Sequence, residues 1–337
     1  MKVLCLPTTP ELLGRVFTPA TWDALRAEFD VTQNDGQNHL QRAELLARIA
    51  GYDAAVTTWG SPRFGREVLD MAPQLKLIAH AAGSVKFLFA PDEIPHLQAR
   101  GLAIYSGNDA IALNVAESTI GLMIAVSRRW PEHAATFKTR HRRDYAQPPL
   151  DGQYLSGATV GLISASKVAR HVVRLLQPFG CRILLYDPFL SEDAARALGV
   201  ARATLNEVFE QGDIVSVHAP ALPATAKMIG ATQLKKLRDG ATFINTSRGA
   251  VVDEAALTEE CRNGRILAAL DVTDPEPAAP DSPLWELPNV ILLPHISGAG
   301  CAGYHAIGAG VLQSLRDLKA GRPIVGSVPL ERWDTLA

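Results

Sequence analysis

The chain has 337 residues, enough to bury two cores, and two domains are the expected organisation. Its 33 basic and 35 acidic residues leave a formal net charge of −2, which excludes a bulk electrostatic partnership with nucleic acid or an anionic membrane, so any anion must be held locally. Four cysteines, Cys5, Cys181, Cys261 and Cys301, lie far apart with no CxxC spacing and read as reduced, buried thiols of a cytoplasmic protein.

The first apolar run stops at Pro7, too short for a signal-peptide core, and no later run is read as approaching the roughly 18 apolar residues of a membrane span. A soluble protein is expected. Short runs rich in Val, Ile and Leu alternate with longer amphipathic stretches, the pattern of parallel strands joined by helices, so the fold class is α/β. In the first third the expected strands are Val3–Leu6, Ala54–Thr57, Leu75–His80 and Leu102–Tyr105. Ser61-Pro62 reads as an N-cap followed by proline at the first helical position. Asn114–Ser127 is apolar and is expected to form a buried helix. Arg128–Arg143 then turns basic; interrupted by Trp130-Pro131 and Phe137, it reads as a solvated helix face plus loop and not as a nucleic-acid platform.

From Ala158 the alternation becomes regular: strand Thr159–Ile163, helix Ser166–Gln177, strand Arg182–Tyr186, helix Glu192–Leu198, strand Ile214–Val217, then strands Thr242–Asn245, Leu267–Leu270 and Val290–Leu293. This is the pattern of a doubly wound nucleotide-binding domain. A long helix rich in small residues follows at Gly298–Lys319, and Pro323–Pro329 is expected to be irregular.

A dinucleotide fingerprint requires a strand, a glycine-rich turn, a helix N-terminus and an acidic residue about 20 positions on. Here the turn reads Ser164-Ala165-Ser166-Lys167-Val168-Ala169, with Ser, Ser and Ala at the three glycine positions. Alanine at the third still lets helix and strand pack closely. Ser166 must either crowd a pyrophosphate or donate a hydrogen bond to it, while the helix N-terminal amides around Lys167 and Val168 favour an anion. Asp187 ends the next strand, where a carboxylate accepts from the ribose hydroxyls of NAD and repels the 2′-phosphate of NADP. Its alternative role is to cap the following turn.

Arg248, Glu276 and His295 each leave the carboxyl end of a different expected strand, where the ligand crevice of an open α/β sheet lies. Oxidising a 2-hydroxy acid removes a hydroxyl proton as hydride leaves the same carbon, and histidine exchanges a proton near neutrality. A neighbouring carboxylate fixes the tautomer, and a guanidinium holds the substrate carboxylate with its fork of donors. Singly, each of the three also reads as an ordinary surface, loop or core residue.

The runs Asn245-Thr246-Ser247-Arg248-Gly249 with Val252-Asp253-Glu254, Ala269-Leu270-Asp271-Val272 with Glu276-Pro277, and Leu293-Pro294-His295-Ile296 resemble those of the D-isomer-specific 2-hydroxyacid dehydrogenases. Asn114-Val115-Ala116-Glu117 and Val217-His218-Ala219-Pro220 match as well. The resemblance covers almost the whole chain. It implies a Rossmann-type NAD-binding domain at 107–297 inserted into a flavodoxin-like substrate domain formed by 1–106 and 298–337. It further implies Arg248, Glu276 and His295 as the active site, with Ser166, Lys167, Val168, Asp187, Ala219, Thr246, Asp271 and Ser297 at the cofactor. Amides near Gly83 and Ser84 would bind the substrate carboxylate, and a homodimer would form through the cofactor domain, with the Asn114–Ser127 helix at its interface.

The missing glycines depart from the family pattern, and so does Lys86, which stands where the family often has an acid. Lys86 reads either as a charge near a substrate anion or as a solvated surface lysine. An unphosphorylated 2-hydroxy or 2-oxo acid is the expected substrate, since no basic cluster beyond Lys86 lies beside the carboxylate loop. The competing reading is a dehydrogenase-like NAD-binding sensor, which the degraded turn favours and the intact Arg, Glu and His disfavour.

Overall fold

The computed structural model describes residues 1–7, 9–34, 36, 38–142 and 151–335. The chain divides into two compact units, Met1–Ile111 with Ala299–Ala337, and Ala112–Gly298. Each is built on its own parallel sheet, giving a two-domain α/β fold of Rossmann type.

The sheet of the first unit has the order β2-β1-β3-β4-β5, with β1 Lys2–Cys5, β2 Asp30–Gln33, β3 Ala54–Thr57, β4 Leu77–His80 and β5 Ala103–Ser106. Its central strands β1, β3 and β4 are buried at every residue but Lys2 because both faces are covered. Leu4, Ala55, Ile78 and Ile104 point to one core, while Val3, Cys5, Val56, Leu77 and Ala79 point to the other, where the Cys301–Lys319 helix adds Ile307, Val311 and Leu315. Of the strands expected here, Ala54–Thr57 stands as expected and the other three shift by one or two residues, while β2 was not foreseen. It is an edge strand with no fully buried residue, so its sequence carries no alternation. The helix expected at Ser61-Pro62 begins only at Gly65 (Gly65–Met71). Ser61 instead closes a turn, its Oγ accepting from the Thr58 amide at 2.9 Å. Residues 323–329 are irregular apart from a single bridge between Ser327 and Tyr105.

The second sheet has the order β12-β11-β10-β9-β6-β7-β8 and is wholly parallel. Its strands are β6 Thr159–Ile163, β7 Arg182–Tyr186, β8 Ala201–Arg202, β9 Ile214–Val217, β10 Thr242–Asn245, β11 Leu267–Leu270 and β12 Val290–Leu292. Only the two-residue edge strand β8 and the end of β12 depart from the expected strands. The chain winds outward from β6 in one direction through β7 and then from β9 in the other, so the switch point lies between β6 and β9.

One sequence expectation fails outright. The Asn108–Ser127 helix has 20 residues and is long and apolar enough to cross a membrane by length and composition. Its small and aliphatic residues raise the average, whereas Asn114, Glu117, Ser118 and Thr119 interrupt the apolar run and hid this from a count of consecutive residues. Within the second unit several of those polar groups are engaged: Thr119 Oγ1 is 2.9 Å from Thr246 Oγ1, Ser127 Oγ is 3.0 Å from Thr242 Oγ1, and Asn114 Nδ2 donates to the Gly298 carbonyl. From Ala112 onward the segment packs as a core helix of that unit, through Ala116, Met123 and Val126. The following helix, Trp130–Arg140, buries none of its residues, as a solvated face requires. Arg143, the end of the basic run, lies outside the described residues.

Candidate active site

The turn after β6 retains the glycine geometry without the glycine. Ser164 has φ +80, a left-handed conformation that side chains with a Cβ disfavour. Ser166 is different: at φ −60 it needs no glycine, and it serves as N-cap of the Lys167–Leu176 helix, its Oγ accepting from the Ala169 amide at 3.4 Å. Ala169 is fully buried where the third glycine would stand. Lys167 and Val168 lie in the first turn of this ten-residue helix, where amides lack intrahelical partners.

Asp187 does more than the sequence suggests. Its Oδ2 accepts from the Ala165 amide at 2.8 Å and the Ser164 hydroxyl at 3.3 Å, and its Oδ1 accepts from the Phe189 amide at 2.8 Å. It therefore caps its own turn and also fastens the turn after β6.

Across the switch point, β9 runs into His218 and Ala219, both buried, and the His218 amide donates to Ile163 O at the end of β6. Neither ring nitrogen of His218 has a partner among the described residues, and burial pulls its pKa down to about 3, so it is neutral. Thr246 is buried beyond β10 against Thr119.

The three proposed catalytic residues follow β10, β11 and β12. His295 Nδ1 and Glu276 Oε1 are 2.6 Å apart, and both side chains remain nearly half exposed. The backbone of His295 is left-handed at φ +55, and its amide donates to Asp271 O. The buried Asp271 carboxylate accepts from the amides of Ile296 and Ser297 at 2.7 and 2.8 Å, which fixes the turn beyond the histidine. Asp271 thus acts on the His295 turn, whereas the sequence had assigned it only to the cofactor. Ser118 Oγ donates to Ser297 O, while the buried Ser297 hydroxyl has no partner of its own among the described residues.

Arg248 leaves β10 in extended conformation, with Nη1 donating to Ser247 O at 2.7 Å. Asn245 holds this segment by accepting from the Ser247 amide and donating to Arg248 O. Sequence reasoning gave no role to the next residue, Gly249. A Cβ there would lie 2.0 Å from Thr273 O, so the backbone behind Arg248 presses directly on the loop that leads to Glu276. Glu254 completes this link by accepting from the Asp274 amide at 2.8 Å. Burial raises its pKa and the Asp274 charge adds to that, against the opposing effect of the amide. The signal in the sequence was a glycine immediately after a strand-end arginine, a position where close approach is the usual reason.

Gly83 and Ser84 follow β4 in the first unit. Gly83 O accepts from Ser106 Oγ at 2.6 Å, and Ser84 Oγ accepts from the Lys86 amide at 3.4 Å. Lys86 is half-buried rather than solvated: burial lowers its pKa, and the Asp334 charge counters this. His80, at the end of β4, is fully buried with Nδ1 2.8 Å from Thr57 Oγ1, and burial lowers its pKa to about 4 against an opposing Ser84 backbone hydrogen bond.

Residues 120–297 match the sequence profile of the D-isomer specific 2-hydroxyacid dehydrogenase NAD binding domain. The chain belongs to this family. The D-3-phosphoglycerate dehydrogenase of Methanocaldococcus jannaschii is 31% identical over 91% of this chain, which spans 57% of that protein's length. The glyoxylate reductase of Korarchaeum cryptofilum is 33% identical over 76% of either chain. A crystal structure of a Thermus thermophilus protein is 30% identical and superimposes with a TM-score of 0.76, covering 97% of this chain and 100% of its own.

The NAD-binding domain of the family is therefore present, and its residues fit the cofactor. His218 and Ser297, buried polar side chains at the strand ends, lack partners among the described residues, and a polar ligand along those ends would supply them. The Lys167–Leu176 helix offers its N-terminus beside the switch point, where a pyrophosphate is favoured.

Proposed function

We propose that this chain transfers hydride between NAD(H) and a small, unphosphorylated D-2-hydroxy or 2-oxo acid, with His295 as the proton-transfer residue. The observation that carries this is the 2.6 Å contact between His295 and Glu276. NAD(H), when bound, takes up or supplies the hydride. With Nδ1–H donating to Glu276, the neutral imidazole has its Nε2 lone pair available to take the hydroxyl proton. In the reverse direction the Nε2–H of the imidazolium returns a proton to the oxo oxygen. Glu276 stabilises the imidazolium and orients the ring, a positioning role. Arg248 holds the substrate carboxylate and polarises the oxo group through its remaining donors.

Gly83 and Ser84 are assigned to the substrate carboxylate on the family resemblance. The unphosphorylated class rests on two supports. Lys86 is the one cation in Gly83–Leu88, and it is half-buried with the Asp334 charge acting on it. A glyoxylate reductase also matches along three quarters of its length. A homodimer through the cofactor domain and a cytoplasmic location belong to the same proposal. Cys5 and Cys261 are buried free thiols, whereas Cys181, expected to be buried too, is only partly so because it stands just ahead of β7, with its thiol on the Leu155 carbonyl. NADH consumption with glyoxylate, hydroxypyruvate, pyruvate, 2-oxobutyrate and phosphohydroxypyruvate tests it. Turnover of an unphosphorylated acid is expected, whereas exclusive use of the phosphorylated one, or none at all, contradicts it.

A further inference from the structure

The turn after β6 combines two features that a glycine-bearing turn would not need together. Ser164 is held at φ +80, a conformation open to glycine and disfavoured for serine. The peptide units on its two sides are both tied down: the Ser164 amide donates to Tyr186 O at 2.7 Å, and the Ala165 amide donates to Asp187 Oδ2 at 2.8 Å. The Ser164 hydroxyl reaches the same carboxylate oxygen at 3.3 Å. Oδ1 is occupied by the Phe189 amide, so about three of the four lone-pair sites of Asp187 serve the protein itself, two of them its backbone.

We propose that Asp187 is the positioning residue of the phosphate-binding turn, supplying through Ala165 and Ser164 the restraint that keeps a serine in a glycine conformation. The inference rests on the NAD assignment only where cofactor affinity is the readout. The ribose meets a carboxylate already engaged on three sides. The main effect of Asp187 on cofactor affinity then runs through the shape of residues 164–166, where the pyrophosphate approaches the helix N-terminus.

A mutant cycle separates this from direct ribose binding. Asp187→Ala, with Asp187→Asn as the milder variant that keeps one acceptor, is made in the native, Ser164→Ala and Ser164→Gly backgrounds. NADH dissociation constants are read by nicotinamide fluorescence, and thermal unfolding is followed without cofactor. In the native and Ser164→Ala backgrounds, Asp187→Ala is expected to weaken NADH by about tenfold or more and to lower the Tm. In the Ser164→Gly background the loss of affinity shrinks to about threefold or less and the Tm change at least halves, since glycine holds the turn unaided. An equal loss of affinity in all three backgrounds, or none in the native one, overturns the proposal. If the native chain bound no NADH, the cofactor assignment would fall while the Tm cycle still decided the role of Asp187.

Discussion

His295 and Glu276 leave two different strands, β12 and β11, yet their side chains meet at 2.6 Å with Nδ1 facing Oε1. Two anchors produce this. Asp271 pins the turn after His295 through the amides of Ile296 and Ser297, and the Thr273–Asp274 backbone that precedes Glu276 is pressed by Gly249 and held by Glu254. Removing the charge without the shape tests the contact. Glu276→Gln is expected to lower kcat/KM by about tenfold, the lower end for a charge-assisted hydrogen bond because the pair is nearly half exposed. Steady-state kinetics at saturating NADH check this, and an unchanged kcat/KM would separate Glu276 from the histidine.

The link between Arg248 and the Glu276 loop predicts a catalytic defect from a residue with no functional group. Gly249→Ala places a methyl where Thr273 O now stands, so the loop must shift by about an ångström. A misplacement of about that size can cost about 10²-fold in turnover. Glu254→Ala should act in the same direction more weakly, and Glu254→Gln, which keeps an acceptor for the Asp274 amide, more weakly still. NADH affinity, measured by fluorescence titration, should stay within about threefold in all of these variants. A selective loss of NADH affinity would place the effect elsewhere.

Much of this architecture can be read from the sequence, and the exceptions have specific causes. Strands β9, β10 and β11 are buried on both faces and therefore stand out as apolar runs, so the residues at their carboxyl ends were legible too. Asp30–Gln33 is an exposed edge strand and left no such trace. Ser61-Pro62 carried a capping signal that the fold uses to close a turn. The grip of Asp187 on Ser164 is a tertiary relationship that no local pattern reveals, whereas at Gly249 a glycine after a strand-end arginine marks the position without showing that Thr273 is what approaches it.

Two buried histidines predict an acid-labile fold. His80 and His218 are held neutral by burial, with pKa values of about 4 and about 3, against an ordinary value of 6.5. Below pH 6.5 the unfolded chain therefore binds more protons than the folded one. The stability owed to the neutral rings is complete above pH 6.5 and is lost as pH falls from there toward 4 and 3, at about 1.4 kcal/mol per pH unit for each ring. Chemical denaturation at pH 7, 6 and 5 should show this fall, and His218→Phe should reduce its slope. A slope unchanged by that substitution would mean that His218 is solvated in the folded state.

Asp187 stands where the adenosine ribose is expected, and a carboxylate there repels a 2′-phosphate. NADH should bind at least about tenfold more tightly than NADPH, a difference of about 1.4 kcal/mol. Equal dissociation constants would remove Asp187 from cofactor selection.

In the proposed mechanism His295 carries the proton. With NADH and whichever oxo acid of the panel is turned over, His295→Ala should reduce kcat by about 10²–10⁴-fold, the usual contribution of general acid–base catalysis, while its NADH dissociation constant stays close to that of the native chain. A His295→Ala variant that reduces the same acid at the native rate would contradict the mechanism.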